Sequence, residues 1–286
     1  MTSSSKDSLT PAVRFRVLRE LAYRSLVPLV RIGNRIGRAV GSLTHLFQLK
    51  LEGVLRPHGE WYDHYVDANW QWGATGRSSF LERGVFNNLV MTPGASLLEL
   101  CCGDGFFTRH FYAARASRVA AVDANPEALA HARRHNAAEN ISYESCDIRA
   151  SLPDGPFDNV VWDSALHHFT KGETLEILAL VKERLAPRGV LSGYTEVEDI
   201  PYAFRKVDFR GKADVAELLG QAFRHVMVIE TPDPQRTNLY FFASDSKDSL
   251  PLDQHNPAVL VRSTSGHQEG RSHLGGSRQR SDISAG

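Results

Sequence analysis

Apolar positions change their spacing along this chain, and each change marks an element. Between Pro28 and Lys50, Leu29, Ile32, Ile36, Val40, Leu43 and Phe47 recur at helical intervals. At about 100° per residue they share one side, while Arg24, Arg31, Arg35 and Arg38 fall opposite. The helical pattern begins at Pro11, and Pro28 is expected to restart it. From Ser96 the pattern becomes short unbroken apolar runs alternating with helical stretches. The strand candidates are residues 96–100, 118–122, 141–144, 159–162 and 190–195. That alternation predicts a parallel sheet with helices on both faces. Asn125-Pro126 has the chemistry of a helix cap and first turn. Thr170 and Glu173 form a capping-box signature before Leu175, Ile177, Leu178, Val181 and Leu185, and Pro187 and Gly189 close that helix. After a helix over 214–223, runs at 225–231 and 238–243 flank a short polar loop and predict an antiparallel hairpin. The fold class is therefore α/β: a doubly wound, mostly parallel seven-stranded sheet ending in an antiparallel hairpin, with an N-terminal helical extension. The boundaries are a disordered terminus at 1–10, the helical extension with an aromatic lid at 11–93, the α/β domain at 94–244, and a disordered tail at 245–286. Within that polar tail, Pro257 to Val261 is the one apolar cluster.

Composition narrows the function classes. The 286 residues carry a formal net charge of zero, which excludes a globally polyelectrolyte partner. The charge is uneven, since residues 1–50 hold nine Lys or Arg against Asp7 and Glu20. An amphipathic basic helix fits either an anionic lipid surface or an ordinary packed helix with solvated arginines. The arginines interrupt any run long and apolar enough for a membrane span or a signal peptide. Cys101, Cys102 and Cys146 show neither a disulfide framework nor a zinc spacing, so no metal is expected and a reducing cytoplasm fits. A peripheral contact with the inner face of the membrane, through residues 24–50, is the alternative location. Trp61, Tyr62, Tyr65, Trp70, Trp72, Phe80 and Phe86, with His58, Asp63 and His64 among them, suit either a pocket-forming lid or a packed helical cap.

Chemistry concentrates between Leu97 and Phe111. A buried strand feeds Gly103 and Gly105, and a helical pattern follows from Phe106. Glycines there let backbone approach a ligand, and unpaired N–H groups face it. Glu99 would repel a pyrophosphate but suits a cationic or hydroxylated ligand. About twenty residues on, a second apolar run ends in Asp123, at the strand end where nucleotide-binding folds place an acid that accepts hydrogen bonds from ribose hydroxyls. Thr108 stands where the dinucleotide fingerprint needs its last glycine.

The segment Glu99-x-Cys101-x-Gly103-x-Gly105 resembles the first motif of class I S-adenosylmethionine (SAM) methyltransferases, with Cys101 at the first glycine. Residues 141–148 resemble the third strand and its acidic loop, and residues 157–169, ending Leu166-His167-His168, resemble the fourth strand of the small-molecule type. The resemblance spans roughly residues 94–244. It implies that Glu99, Cys101, Gly103, Asp104 and Gly105 line the methionine end of SAM. Asp123, with Ala124 and Asn125, would hold the ribose. Asp147 and Ile148 would meet adenine, and Asp163 would border the sulfonium.

His168 and His167 are the candidate bases for an acceptor hydroxyl, at the sheet edge where ligands bind in open α/β folds. Glu196 and Glu198 are alternatives. Asp163-Ser-Ala-Leu166 lacks the Asp/Asn-Pro-Pro-aromatic pattern of nucleic-acid amine methyltransferases, which argues against a nucleic-acid acceptor. The expected function is methyl transfer to a small molecule, a sugar or a lipid-linked glycan. Two rivals stay open: a non-catalytic SAM-binding scaffold and an NAD-dependent oxidoreductase.

Overall fold

A computed structural model describes residues 11–47, 63–64, 77, 79–198, 205–233, 236–251 and 259–263. The sheet starts with β1 (Ala95–Leu100), which lies parallel between β2 (Ala116–Asp123) and β4 (Phe157–Asp163). β3 (Ile141–Ser145) extends the sheet beyond β2, and β5 (Leu185–Glu198) extends it beyond β4. The order is β3-β2-β1-β4-β5, so the winding reverses between β1 and β4. In open α/β sheets that reversal opens a crevice at the carboxyl ends of the strands.

Both faces of the central strands are covered, which is why their sequences read as unbroken apolar runs. Leu97 packs with Phe107, Leu129, Ala132 and Val161 on one face. Leu98 and Leu100 pack with Ile177, Leu178, Val181 and Val215 on the other. The helices responsible are α3 (Pro126–His135), α4 (Lys171–Arg184) and α5 (Lys212–Leu219). Their starts follow the expected chemistry. The Asn125 side chain accepts from the N–H groups of Glu127 and Ala128, and Thr170 and Glu173 complete a reciprocal capping box. The expected helix over 214–223 begins earlier and ends at Leu219, then continues as turns in which the Phe223 N–H still reaches the Leu219 carbonyl.

β6 (His225–Asp233) and β7 (Arg236–Ser244) form the expected hairpin, with β7 antiparallel to β5. All seven expected strands are present. An eighth, β8 (Val259–Ser263), runs antiparallel to β6 and lies inside the stretch expected to be disordered. The outer edge of β6 offers unpaired backbone groups, and Val259-Leu-Val261 is the tail's apolar run, with the strand preference to take them.

The N-terminal extension departs most from expectation. α1 (Pro11–Phe47) is a single helix of 37 residues, and Pro28 sits inside it instead of restarting it. A proline removes one intrahelical hydrogen bond, which a long helix on both sides can carry. The reading in which α1 packs its apolar side on the sheet domain does not hold for the described side chains. Leu29 is 64% exposed, Ile36 59% and Leu43 67%. Among the described residues, no helix is long and apolar enough to cross a membrane.

α2 (Ser79–Asn88) does pack on the domain. Phe86 stacks on Tyr240, Asn87 bonds the Tyr112 hydroxyl, and the hydroxyls of Tyr240 and Thr231 donate to Glu82. Trp61, Tyr62, Tyr65, Trp70, Trp72 and His58 of the expected aromatic lid lie outside the described residues.

Candidate functional site

The crevice beyond β1 and β2 is built by the glycine loop. The Gly103 N–H donates to Asp123 Oδ2 at 2.9 Å, and the Asn125 N–H donates to Asp123 Oδ1 at 2.8 Å. One carboxylate therefore fastens the loop after β1 to the cap of α3. Burial pushes the Asp123 carboxyl up, partly offset by those N–H donors. Gly103 and Gly105 both have positive φ, at 55° and 72°. Space over Gly103 is open, whereas a Cβ on Gly105 would strike the Tyr143 ring. Cys101 also has positive φ, at 57°, although it is not glycine. The position thus demands the left-handed conformation that glycine adopts without strain.

Glu99 on β1 is buried, and the Thr108 hydroxyl donates to it at 2.5 Å. Burial, helped by the neighbouring Asp163 and Asp104 and against the pull of Thr108 and Arg83, pushes its carboxyl up to about 8. Thr108 is therefore a partner for Glu99 at the position where a dinucleotide loop would carry glycine.

Asp104 receives His64 of the N-terminal extension. The His64 backbone N–H donates to Asp104 Oδ2 at 2.7 Å, and His64 Nδ1 lies 2.9 Å from Oδ1. Burial works against the charge, yet His64 holds the Asp104 carboxyl below the usual carboxylate range. Asp63, Asp104 and His131 also present ligand atoms within 4.8 Å of one another. Both Asp104 oxygens already accept from His64, and Oδ1 also takes the Phe106 N–H, so the carboxylate acts as a latch.

The crevice continues past β4. Asp163 is buried and bound by two nitrogens of Arg83, Nε at 2.8 Å and Nη2 at 2.7 Å. The guanidinium lies over Phe107 at 4.4 Å and Tyr194 at 5.2 Å. Ser164 takes positive φ, and a single 3₁₀ turn carries Leu166, His167 and His168. His167 is buried, with Nδ1 3.9 Å from Glu196 Oε1; His168 is half-buried beside it, ring centroids 4.2 Å apart. Burial, then the charges of His168 and Arg205, push His167 down to about 3. Arg205 binds Glu196 Oε1. Asp163 Oδ1, His167 Nδ1, Thr195 Oγ1 and Glu196 Oε2 are buried and have no hydrogen-bond partner among the described residues.

The structure thus gathers Glu99, Cys101, Gly103, Asp104, Gly105, Asp123, Ala124 and Asn125 at the ends of β1 and β2, and Asp163, His167 and His168 at the end of β4. The acidic loop after β3 differs in character. Asp147 is exposed and paired with Arg149, and Ile148 is buried in the core under α4. Sequence reasoning missed Arg83 and Arg205, and it named His64 and Thr108 without their partners Asp104 and Glu99. Thr108 left a signal, as the polar departure from a glycine motif. Arg83 and Arg205 left none, because their partners stand eighty and nine residues away on other elements.

Comparison with known proteins falls on the same stretch. Residues 97–189 match the family model described as a methyltransferase domain. An uncharacterized methyltransferase of Synechocystis sp. is 31% identical over 105 residues, covering 37% of this chain and 49% of the relative. The chain spans about half the length of that curated relative. Among solved structures, the N-methyltransferase NodS from Bradyrhizobium japonicum, in complex with S-adenosyl-L-homocysteine, is similar in fold. It has a TM-score of 0.50 and 19% identity, over 62% of this chain and 92% of that one. The matched stretch opens in β1 and takes in the glycine loop, Asp123 and the β4 edge, and over those residues the chain is similar to a methyltransferase domain.

Proposed function

We propose that the protein transfers a methyl group from SAM to a small-molecule acceptor, a sugar or a lipid-linked glycan among them, in the cytoplasm. One observation carries the reading: the Asp123 carboxylate at the end of β2 joins the glycine loop to the cap of α3. A ribose held at that strand end needs such an acceptor, and open space over Gly103 lets a ligand reach the backbone. Glu99, Cys101, Gly103, Asp104 and Gly105 would hold the methionine end, where the ionised Asp104 carboxylate suits an ammonium group. Asp123, Ala124 and Asn125 would hold the ribose, Asp147 the adenine amino group, and Asp163 the sulfonium. Ile148 would act from the core, by shaping the floor under Asp147. Bound there, SAM supplies an electrophilic methyl on a cationic sulfur.

Holding donor and acceptor in line supplies the larger share of the rate, about 7–11 kcal/mol. The acceptor side fits a hydroxyl or an amine, because Glu196 Oε2 is a buried acceptor atom without a donor among the described residues, beside the buried His167 ring. His167, held down to about 3, is neutral at working pH and accepts a hydrogen bond. Calorimetry with SAM, S-adenosylhomocysteine and NAD, followed by labelled-methyl transfer to hydroxyl and amine acceptors, tests the reading. SAM binding with transfer supports it. Tight SAM binding with no transfer to any acceptor favours a scaffold, and NAD binding alone overturns it.

A further inference from the structure

We infer that α1 is an in-plane anchor for the surface of an anionic lipid bilayer. The inference stands on the helix alone and does not depend on the chemistry at Asp123. The helix is unbroken over 37 residues, about 55 Å at 1.5 Å per residue. Leu18, Leu21, Leu29, Ile32, Ile36 and Leu43 share one side of it, and all six are more than half exposed. A contiguous apolar strip of that length is far larger than the scattered apolar residues of an ordinary soluble surface.

Charge selects the occupant. The helix carries seven arginines and one acid, Glu20. Glu20 pairs with Arg24 at 3.1 Å. Arg31, Arg35 and Arg38 line the opposite side, and no described ion pair engages them. An amphipathic helix with a wide apolar face and a cationic face lies in the headgroup boundary, apolar side down, with arginines reaching anionic headgroups. Crossing the bilayer is excluded by the same arginines, since no window of α1 is apolar enough. A second copy is the poorer occupant. Pairing two such helices brings together two chains of like charge, each with seven arginines and one acid.

The full chain is tested by co-sedimentation with vesicles of phosphatidylcholine alone, and with vesicles containing about one third phosphatidylglycerol. Binding to the anionic vesicles, weakening as salt is raised, is expected, with little binding to the neutral ones. Each arginine near the surface is worth roughly fivefold in affinity, so R31Q/R35Q/R38Q is expected to lose roughly a hundredfold. I32S/I36S/L43S tests insertion and is expected to lose binding at any salt. Both sets lie on an exposed helix, so the unfolding transition of the sheet domain should match the unmutated chain. Failure of the unmutated chain to bind anionic vesicles overturns the inference, whatever the variants do. So does equal binding to neutral vesicles, or a stable dimer in sedimentation velocity that I32S/I36S/L43S dissolves.

Discussion

Arg83 of α2 clamps Asp163 at the end of β4 with two nitrogens, at 2.8 and 2.7 Å, across eighty residues of sequence. The pair fixes the N-terminal extension to the strand edge beside His167 and Glu196. The clamp is buried on both sides, with side chains 11% and 5% exposed. Taking either partner away leaves an uncompensated charge, whereas replacing both by apolar groups does not.

Arg83→Leu is therefore expected to destabilise the protein by about 3–5 kcal/mol. The double change R83L/D163L should recover most of that loss. Urea unfolding of the four proteins gives the coupling directly. Additive losses in the double variant would show that the clamp is not what holds α2.

A second expectation comes from the left-handed residue of the glycine loop. Cys101 holds φ at 57°, which costs a non-glycine residue about 1–2 kcal/mol. Cys101→Gly relieves the strain, gives back about 0.5–1 kcal/mol in unfolded-chain entropy, and loses the side chain's partial packing against the core. These effects nearly cancel, so its stability should stay within about 0.5 kcal/mol. Cys101→Val adds a β-branched side chain where φ is positive and should cost about 2 kcal/mol. Thermal unfolding of both variants decides; a harmless Cys101→Val would mean that the loop relaxes out of the left-handed region.

What the sequence disclosed and what it hid follow from the range of each interaction. The caps at Asn125 and Thr170 are local hydrogen bonds within four residues, and they were legible. So were the strand runs, because burial on both faces removes polar residues from them. The hairpin of β6 and β7 was legible from its loop. β8 was not, because its pairing with β6 depends on an edge that only the assembled sheet presents. The exposure of α1 was undecidable, since packed and lipid-bound helices share one amphipathic pattern. At the site, the glycine loop and Asp123 announced themselves by motif. Their fastening to each other through Gly103, and the His64 latch on Asp104, required coordinates.

That fastening changes what removal of Asp123 should do. From the sequence alone it concerns only the ribose. In the structure, Asp123→Ala also strips the Gly103 and Asn125 N–H groups of their acceptor, a cost of about 1–3 kcal/mol of stability. SAM affinity should fall roughly tenfold or more by calorimetry. Asp123→Asn keeps one acceptor oxygen and should regain part of the stability but little of the affinity. Full SAM affinity in a folded Asp123→Ala protein would remove Asp123 from the ribose site.

The last expectation uses the buried carboxyl of Glu99. Its ordinary value is 4.5, and burial raises it in the folded protein to about 8. Between those values the folded chain keeps a proton that the unfolded chain has released. Stability therefore falls as pH rises through this window, by at most about 1.4 kcal/mol per pH unit from this one group. Below the window both states are protonated, and above it both are ionised, so the slope vanishes at each end. Glu99→Gln removes the titration while its amide oxygen still accepts from the Thr108 hydroxyl. The variant should match the unmutated protein in acid and become the more stable of the two as pH approaches about 8. Urea unfolding at a series of pH values reads Glu99 as the difference between the two curves, because groups other than its neighbours Asp163 and Asp104 titrate alike in both proteins. Parallel curves across the series would place the Glu99 carboxyl in water instead of in the protein interior.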